Sequence, residues 1–108
     1  MAYPIEEVIK LNNLFDLYQS LFTEKQRDYF IYYFREDYSL SEIAELMDVS
    51  RNAVHLQIKK ITNYLHNYED KLSLLKKKKI RESLVDEILT DFNLEKEIQT
   101  KIEKIKKV

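Results

Sequence analysis

Ser50, Arg51, Asn52, His55 and Lys59 place three kinds of chemistry on one short stretch of chain. A serine hydroxyl caps a helix start, Arg and Lys neutralise phosphates, and Asn and His exchange hydrogen bonds with base edges. At about 100° per residue, positions 51, 52, 55 and 59 fall along one side of a helix beginning after Ser50. This is the chemistry of a helix laid in the major groove of double-stranded DNA, with backbone N–H groups at its start turned toward a phosphate.

Other side chains invite weaker readings. The run Lys76-Lys77-Lys78-Lys79 with Arg81 is a dense cationic cluster, either a solvated helix junction or a phosphate or RNA contact. The aromatics Tyr29, Phe30, Tyr32, Tyr33, Phe34 and Tyr38 can stack on bases, but at helical spacing they read first as core and rim packing. His66 and Glu69 have the i, i+3 spacing of some metal sites, yet a single such pair without further His or Cys reads as surface. Glu82, Asp86, Glu87 and Asp91 read as the polar face of a helix. No nucleophile–base arrangement, glycine-rich phosphate loop or metal constellation is placed, so a non-enzymatic protein without cofactor is expected.

The elements that must position these groups are helices. The chain has no glycine and one proline, Pro4, so hairpin-rich β folds are strongly disfavoured and helices with polar turns become the default. Pro4 suits a first helical turn, and Val8, Leu11, Phe15, Tyr18 and Phe22 then trace a helix to about Phe22. Thr23-Glu-Lys-Gln26 is a capping box opening a second helix that ends near Arg35. Ser39-Leu-Ser-Glu42 is another, opening a short helix with Leu40, Ile43, Ala44 and Met47 inward. Asp48 tolerates the left-handed turn that follows. From Arg51, the apolar positions Val54, Ile58, Ile61, Leu65, Tyr68, Leu72 and Leu75 predict a long helix passing residue 70. Ile80, Leu84, Val85, Ile88, Leu89 and Phe92 make a fifth stripe; Leu94, Ile98, Ile102 and Ile105 make a sixth, with Asn93 as its cap. The short helix, tight turn and long helix over 38–60 form a helix-turn-helix, with Ala44 small enough for the backbones to approach.

Charge qualifies the DNA reading. The formal net charge is -1, with 7 basic and 10 acidic residues over 1–68 and 11 and 9 over 69–108. Two or three cations per reading helix give weak phosphate binding unless a dimer doubles them. The apolar seam and the two C-terminal stripes exceed what one small domain needs, so a homodimer is expected. The division is a helix-turn-helix domain over 1–68 and a helical extension over 69–108 for packing or dimerisation. The absence of cysteine suits a reducing compartment. No apolar run reaches the ~20 residues of a membrane span, and no leader is read at the N-terminus, so a cytoplasmic protein is expected.

Residues 23–60 resemble the C-terminal DNA-binding region of bacterial sigma factors (region 4), through Thr23–Gln26, Tyr38-Ser-Leu-Ser-Glu-Ile-Ala-Glu45 and Val49-Ser-Arg-Asn-Ala-Val54. More closely, the chain resembles the YlxM-like family of small bacterial helix-turn-helix proteins. Asn13-Leu-Phe-Asp-Leu-Tyr18, Leu21-Phe-Thr-Glu-Lys-Gln26, Asp37–Ala44, Ile58-Lys59 and Tyr68-Glu-Asp-Lys-Leu72 add to the match, which covers roughly 10–90. The resemblance implies a DNA-binding regulator. It also implies a link to the signal recognition particle, beside whose genes family members tend to be encoded. The alternative it implies is a protein- or RNA-binding accessory factor of that particle.

Overall fold

The structure, a computed structural model, describes residues 3–108. Among them it has six α-helices and no strand: α1 (Ile5–Tyr18), α2 (Glu24–Phe30), α3 (Leu40–Met47), α4 (Arg51–Leu72), α5 (Leu74–Asp91) and α6 (Lys96–Lys106). The all-α helix-turn-helix architecture expected from the sequence is therefore present. The chain divides into two compact units, the first ending at Leu72 and the second running from Ser73 to Val108.

Local chemistry sets most helix ends. Pro4 stands just before α1 and its carbonyl accepts the Val8 N–H. Thr23 and Ser39 complete the two capping boxes, each hydroxyl accepting from the N–H three residues on while Gln26 or Glu42 reaches back. Without glycine, the left-handed backbone positions fall to Asp37, Asp48 and Ser73, at φ 57°, 54° and 55°. Asp, with its short polar side chain, tolerates this conformation better than most residues.

Three ends depart from the sequence reading. α1 stops at Tyr18, and a tighter 3₁₀ turn over Gln19–Leu21 carries the chain to an extended Phe22. α2 widens after Phe30 into a π-helical turn, Ile31–Arg35, where Glu36 N–H bonds back to Ile31. Asn93 is not the cap of α6: Glu95 holds that position without a side-chain cap bond, and Leu94 instead accepts from the Gln99 amide.

The first unit owns nearly all the core. Every buried apolar side chain but Leu75 and Val85 precedes Ser73. α4 is the central element, packed by α1, α2 and α3. It buries Val54, Ile58, Ile61 and Leu65 completely, each contributing about 1.5–3 kcal/mol relative to exposure. The seam stops there: Tyr68 is half-buried and Leu72 is exposed. Opposite it, Phe15 of α1 stacks on Phe30 of α2 with ring centroids 4.1 Å apart. The aromatics of the α2 region pack among themselves, Tyr32 on Tyr38 and Phe34 on Phe30.

Polar ties join the same helices. Tyr18 donates to Glu69 at 2.8 Å, and His66 lies 3.0 Å from Glu7. His66 and Glu69, which read as surface in the sequence, thus each reach from α4 to α1. The second unit is an α5–α6 pair in which Val85 is buried, and Lys106 meets Asp86 at 2.7 Å.

Candidate nucleic-acid interface

The turn between α3 and α4 is fixed by its backbone. Val49 N–H bonds to the Ala44 carbonyl at 3.0 Å and Asp48 N–H to Glu45 at 3.4 Å. This is the Schellman pattern that closes a helix through one left-handed residue. That residue is Asp48, at φ 54° and ψ 51°. Ala44 and Val49 are half-buried where the two helices meet. α4 then starts abruptly. The Ser50 hydroxyl accepts from Ala53 N–H at 3.0 Å, and the Ser50 carbonyl accepts from Val54 at 3.1 Å.

The packing splits α4 into a back and a front. Val54 and Ile58 are wholly buried, whereas Ser50, Arg51, Asn52 and Lys59 are exposed and His55 is half-exposed. All five residues picked out by spacing therefore lie where a partner can reach them, on a helix held from behind. They do not face one electrostatic environment. Arg51 lines a cleft together with Asp37, Tyr38, Ser39 and Glu42, so two carboxylates share its surroundings. The Glu42 carboxyl is held below its ordinary 4.5 because it accepts from the Ser39 backbone and side chain. Its negative charge partly offsets the attraction of Arg51 for a phosphate.

A second groove is more favourable to an anion. Lys25, Gln26 and Tyr29 of α2 face Ala53, Gln57 and Lys60 of α4 across it, and no carboxylate is among its lining residues. Lys60 extends over the Tyr64 ring, its Nζ 5.7 Å from the centroid.

The Lys76–Lys79 run, with Arg81, lies in α5. Four successive residues on a helix point to four sides, so the run fans around α5 without forming one patch. Lys78 stands 4.0 Å from Glu82, and Arg81 donates to the Val108 carbonyl at 3.1 Å. Among the described residues there is no cluster of three or more His, Cys, Asp or Glu able to hold a metal ion. No helix among them is long and apolar enough to cross a membrane.

Residues 5–105 match the family described as "Putative helix-turn-helix protein, YlxM / p13 like". The chain belongs to this family. Among its UPF0122 relatives, the protein lin1916 of Listeria innocua is 41% identical over 95% of this chain and 97% of its own. YofM of Lactococcus lactis is 36% identical over 96% and 94%. A relative from Bacillus thuringiensis reaches 52% identity over 75% and 74%.

For this YlxM-like chain, the groove residues Lys25, Gln57 and Lys60 were not among the sequence candidates. Gln57 and Lys60 are within about one helical turn of positions already chosen. Lys25 gives no such signal, because only the packing of α2 on α4 brings it across from Lys60, thirty-five positions later in the sequence.

Proposed function

We propose that the protein is a DNA-binding regulator that lays the start of α4 in the major groove of double-stranded DNA. Asn52 and His55 would meet base edges. Arg51, Lys59, Lys60 and Lys25 would meet phosphates on either side. The observation that carries this reading is the division of α4, with its back sealed by Val54 and Ile58 and its first two turns left open. Membership of a helix-turn-helix family supports it.

Four cations per chain are assigned to phosphates here, so binding should be weak and strongly salt-dependent. Each phosphate neutralised contributes about -0.9 to the slope of log K against log salt. Fluorescence anisotropy with a mixed-sequence duplex, between roughly 50 and 200 mM salt, tests the reading. Lys60→Ala and Lys25→Ala should each lower the slope by about one at every sequence. Asn52→Ala should instead lower preference among sequences once a preferred site is known. Absence of binding at the lowest salt, or binding indifferent to Arg51→Ala, Lys59→Ala and Lys60→Ala together, overturns it.

The second reading, an accessory factor of the signal recognition particle, would use Lys76–Lys79 and Arg81 on RNA. That cluster is the poorer phosphate site, since Lys78 and Arg81 are engaged within the chain and the lysines diverge around α5.

A further inference from the structure

The second unit exposes more apolar surface than it closes. α6 buries no side chain fully, and α5 buries only Leu75 and Val85. Ile80, Leu84 and Ile88 of α5 remain 51%, 54% and 39% exposed, and Ile105 of α6 beside them 46%. They form one apolar strip, flanked by Lys77 and Arg81. A unit below about 40 residues rarely closes its own core without help, and oligomerisation is one source of that help.

We propose that a second copy of the chain covers this strip, α5 against α5, antiparallel, about a two-fold axis at Leu84. The sequence of the strip is self-complementary about that residue. Counting outward in opposite directions, Leu84 meets Leu84, Ile80 meets Ile88, Lys77 meets Asp91, and Arg81, which also donates to the Val108 carbonyl, meets Glu87. At about 100° per residue these seven positions all lie within about 60° of the Leu84 direction, so they share one face. The polarity runs the length of the helix: the cations Lys76–Lys79 and Arg81 all precede the carboxylates Glu82, Asp86, Glu87 and Asp91. A parallel pair would set Lys77 on Lys77 and Asp91 on Asp91. Only the antiparallel pair joins apolar to apolar and cation to carboxylate at once. Such an interface uses the same patch on both subunits, as closed two-fold dimers do. Two α5–α6 pairs then make a four-helix bundle whose centre is the strip.

Pairing through α5 does not require DNA binding and is measured without DNA. Sedimentation equilibrium of the full chain should give a dimer at micromolar concentration. Lys77→Glu and Asp91→Lys each turn two symmetric attractions into repulsions, so each should weaken self-association by about tenfold. An equimolar mixture of the two variants should pair again, because the carboxylate introduced in one chain then meets the ammonium introduced in the other. The double variant Lys77→Glu/Asp91→Lys should dimerise like the wild type, since its attractions are merely exchanged. In a parallel pair, position 77 would meet position 77, and neither single reversal would change the repulsion already there. The charge positions 77 and 91 and the centre, Leu84, are all exposed in the single chain, and circular dichroism checks that helix content is kept. Leu84→Asp should leave a helical monomer. A wild type that is monomeric at 100 µM (about the upper end of useful concentration), a dimer indifferent to the charge reversals, or reversals not restored by mixing would each overturn the proposal.

Discussion

Asp48 does at one position what glycine does in most tight turns. Its left-handed backbone lets Val49 bond back to Ala44 and brings Ser50 to the head of α4. A β-branched residue there meets the full steric cost of that conformation, about 1–2 kcal/mol. Asp48→Val should therefore lower the melting temperature by about 4–8 °C per kcal/mol, while Asp48→Gly should leave it nearly unchanged. Two residues on, Ser50→Ala removes the acceptor for Ala53 N–H and should cost about 1 kcal/mol, with Ser50→Asp retaining most of the cap. Glu42 adds a pH dependence of definite sign. Its folded pKa lies below 4.5, so its capping contribution is complete above that value and is lost as pH falls through the lower folded pKa. Acid melts of Glu42→Gln, which keeps the capping box without a titrating group, should show a shallower decline than the wild type over that range. An equal decline would mean that Glu42 contributes nothing to acid sensitivity.

At the scale of elements, α4 depends on what α1 and α2 place behind it. The Phe15–Phe30 stack joins these two helices at the centre of the core, with both rings fully buried. Phe15→Ala should cost about 3–5 kcal/mol, a large share of the stability of a small domain. Arg35 touches the same place from outside, pairing with Asp16 at 2.6 Å and lying 5.0 Å from the Phe15 ring centroid. Because that pair is solvent-exposed, Arg35→Ala should cost no more than about 1 kcal/mol. Chemical denaturation of the two variants orders these contributions; the reverse order would contradict the packing account. The contrast also marks what a sequence can carry. Thr23, Ser39 and Ser50 declare their helices because a cap is closed within three residues. Apolar period gives the buried face of α4 for the same local reason. It does not say what covers a face, and the stripe Ile80, Leu84, Ile88 stands open within the chain. Nor does it carry the π-helical turn after Phe30, the His66–Glu7 tie or the Lys25–Lys60 groove. The first is a choice of backbone pitch, and the others join positions far apart in the chain.

For the molecule as a whole, the core and the open apolar strip lie in different units. The first unit holds the core from Leu11 to Leu65, whereas the second holds an open strip and little else that is buried. A chain cut after Leu72 should therefore keep the helical fold and a cooperative melt, and should sediment as a monomer. Its DNA binding separates the two proposals. If both proposals hold, a dimer carries two copies of Lys25, Arg51, Lys59 and Lys60 where a monomer carries one. Severing the second unit should roughly halve the salt slope, since that slope counts neutralised phosphates, and should weaken affinity by more than the loss of any one lysine, because the second contact is no longer intramolecular. A truncated monomer that bound with the full-length slope would place all the phosphate contacts in one copy and leave the paired strips without a role in reading DNA. A steep loss of slope, restored by fusing the shortened chain to an unrelated dimerising helix, would instead tie the self-complementary face of α5 to the front of α4.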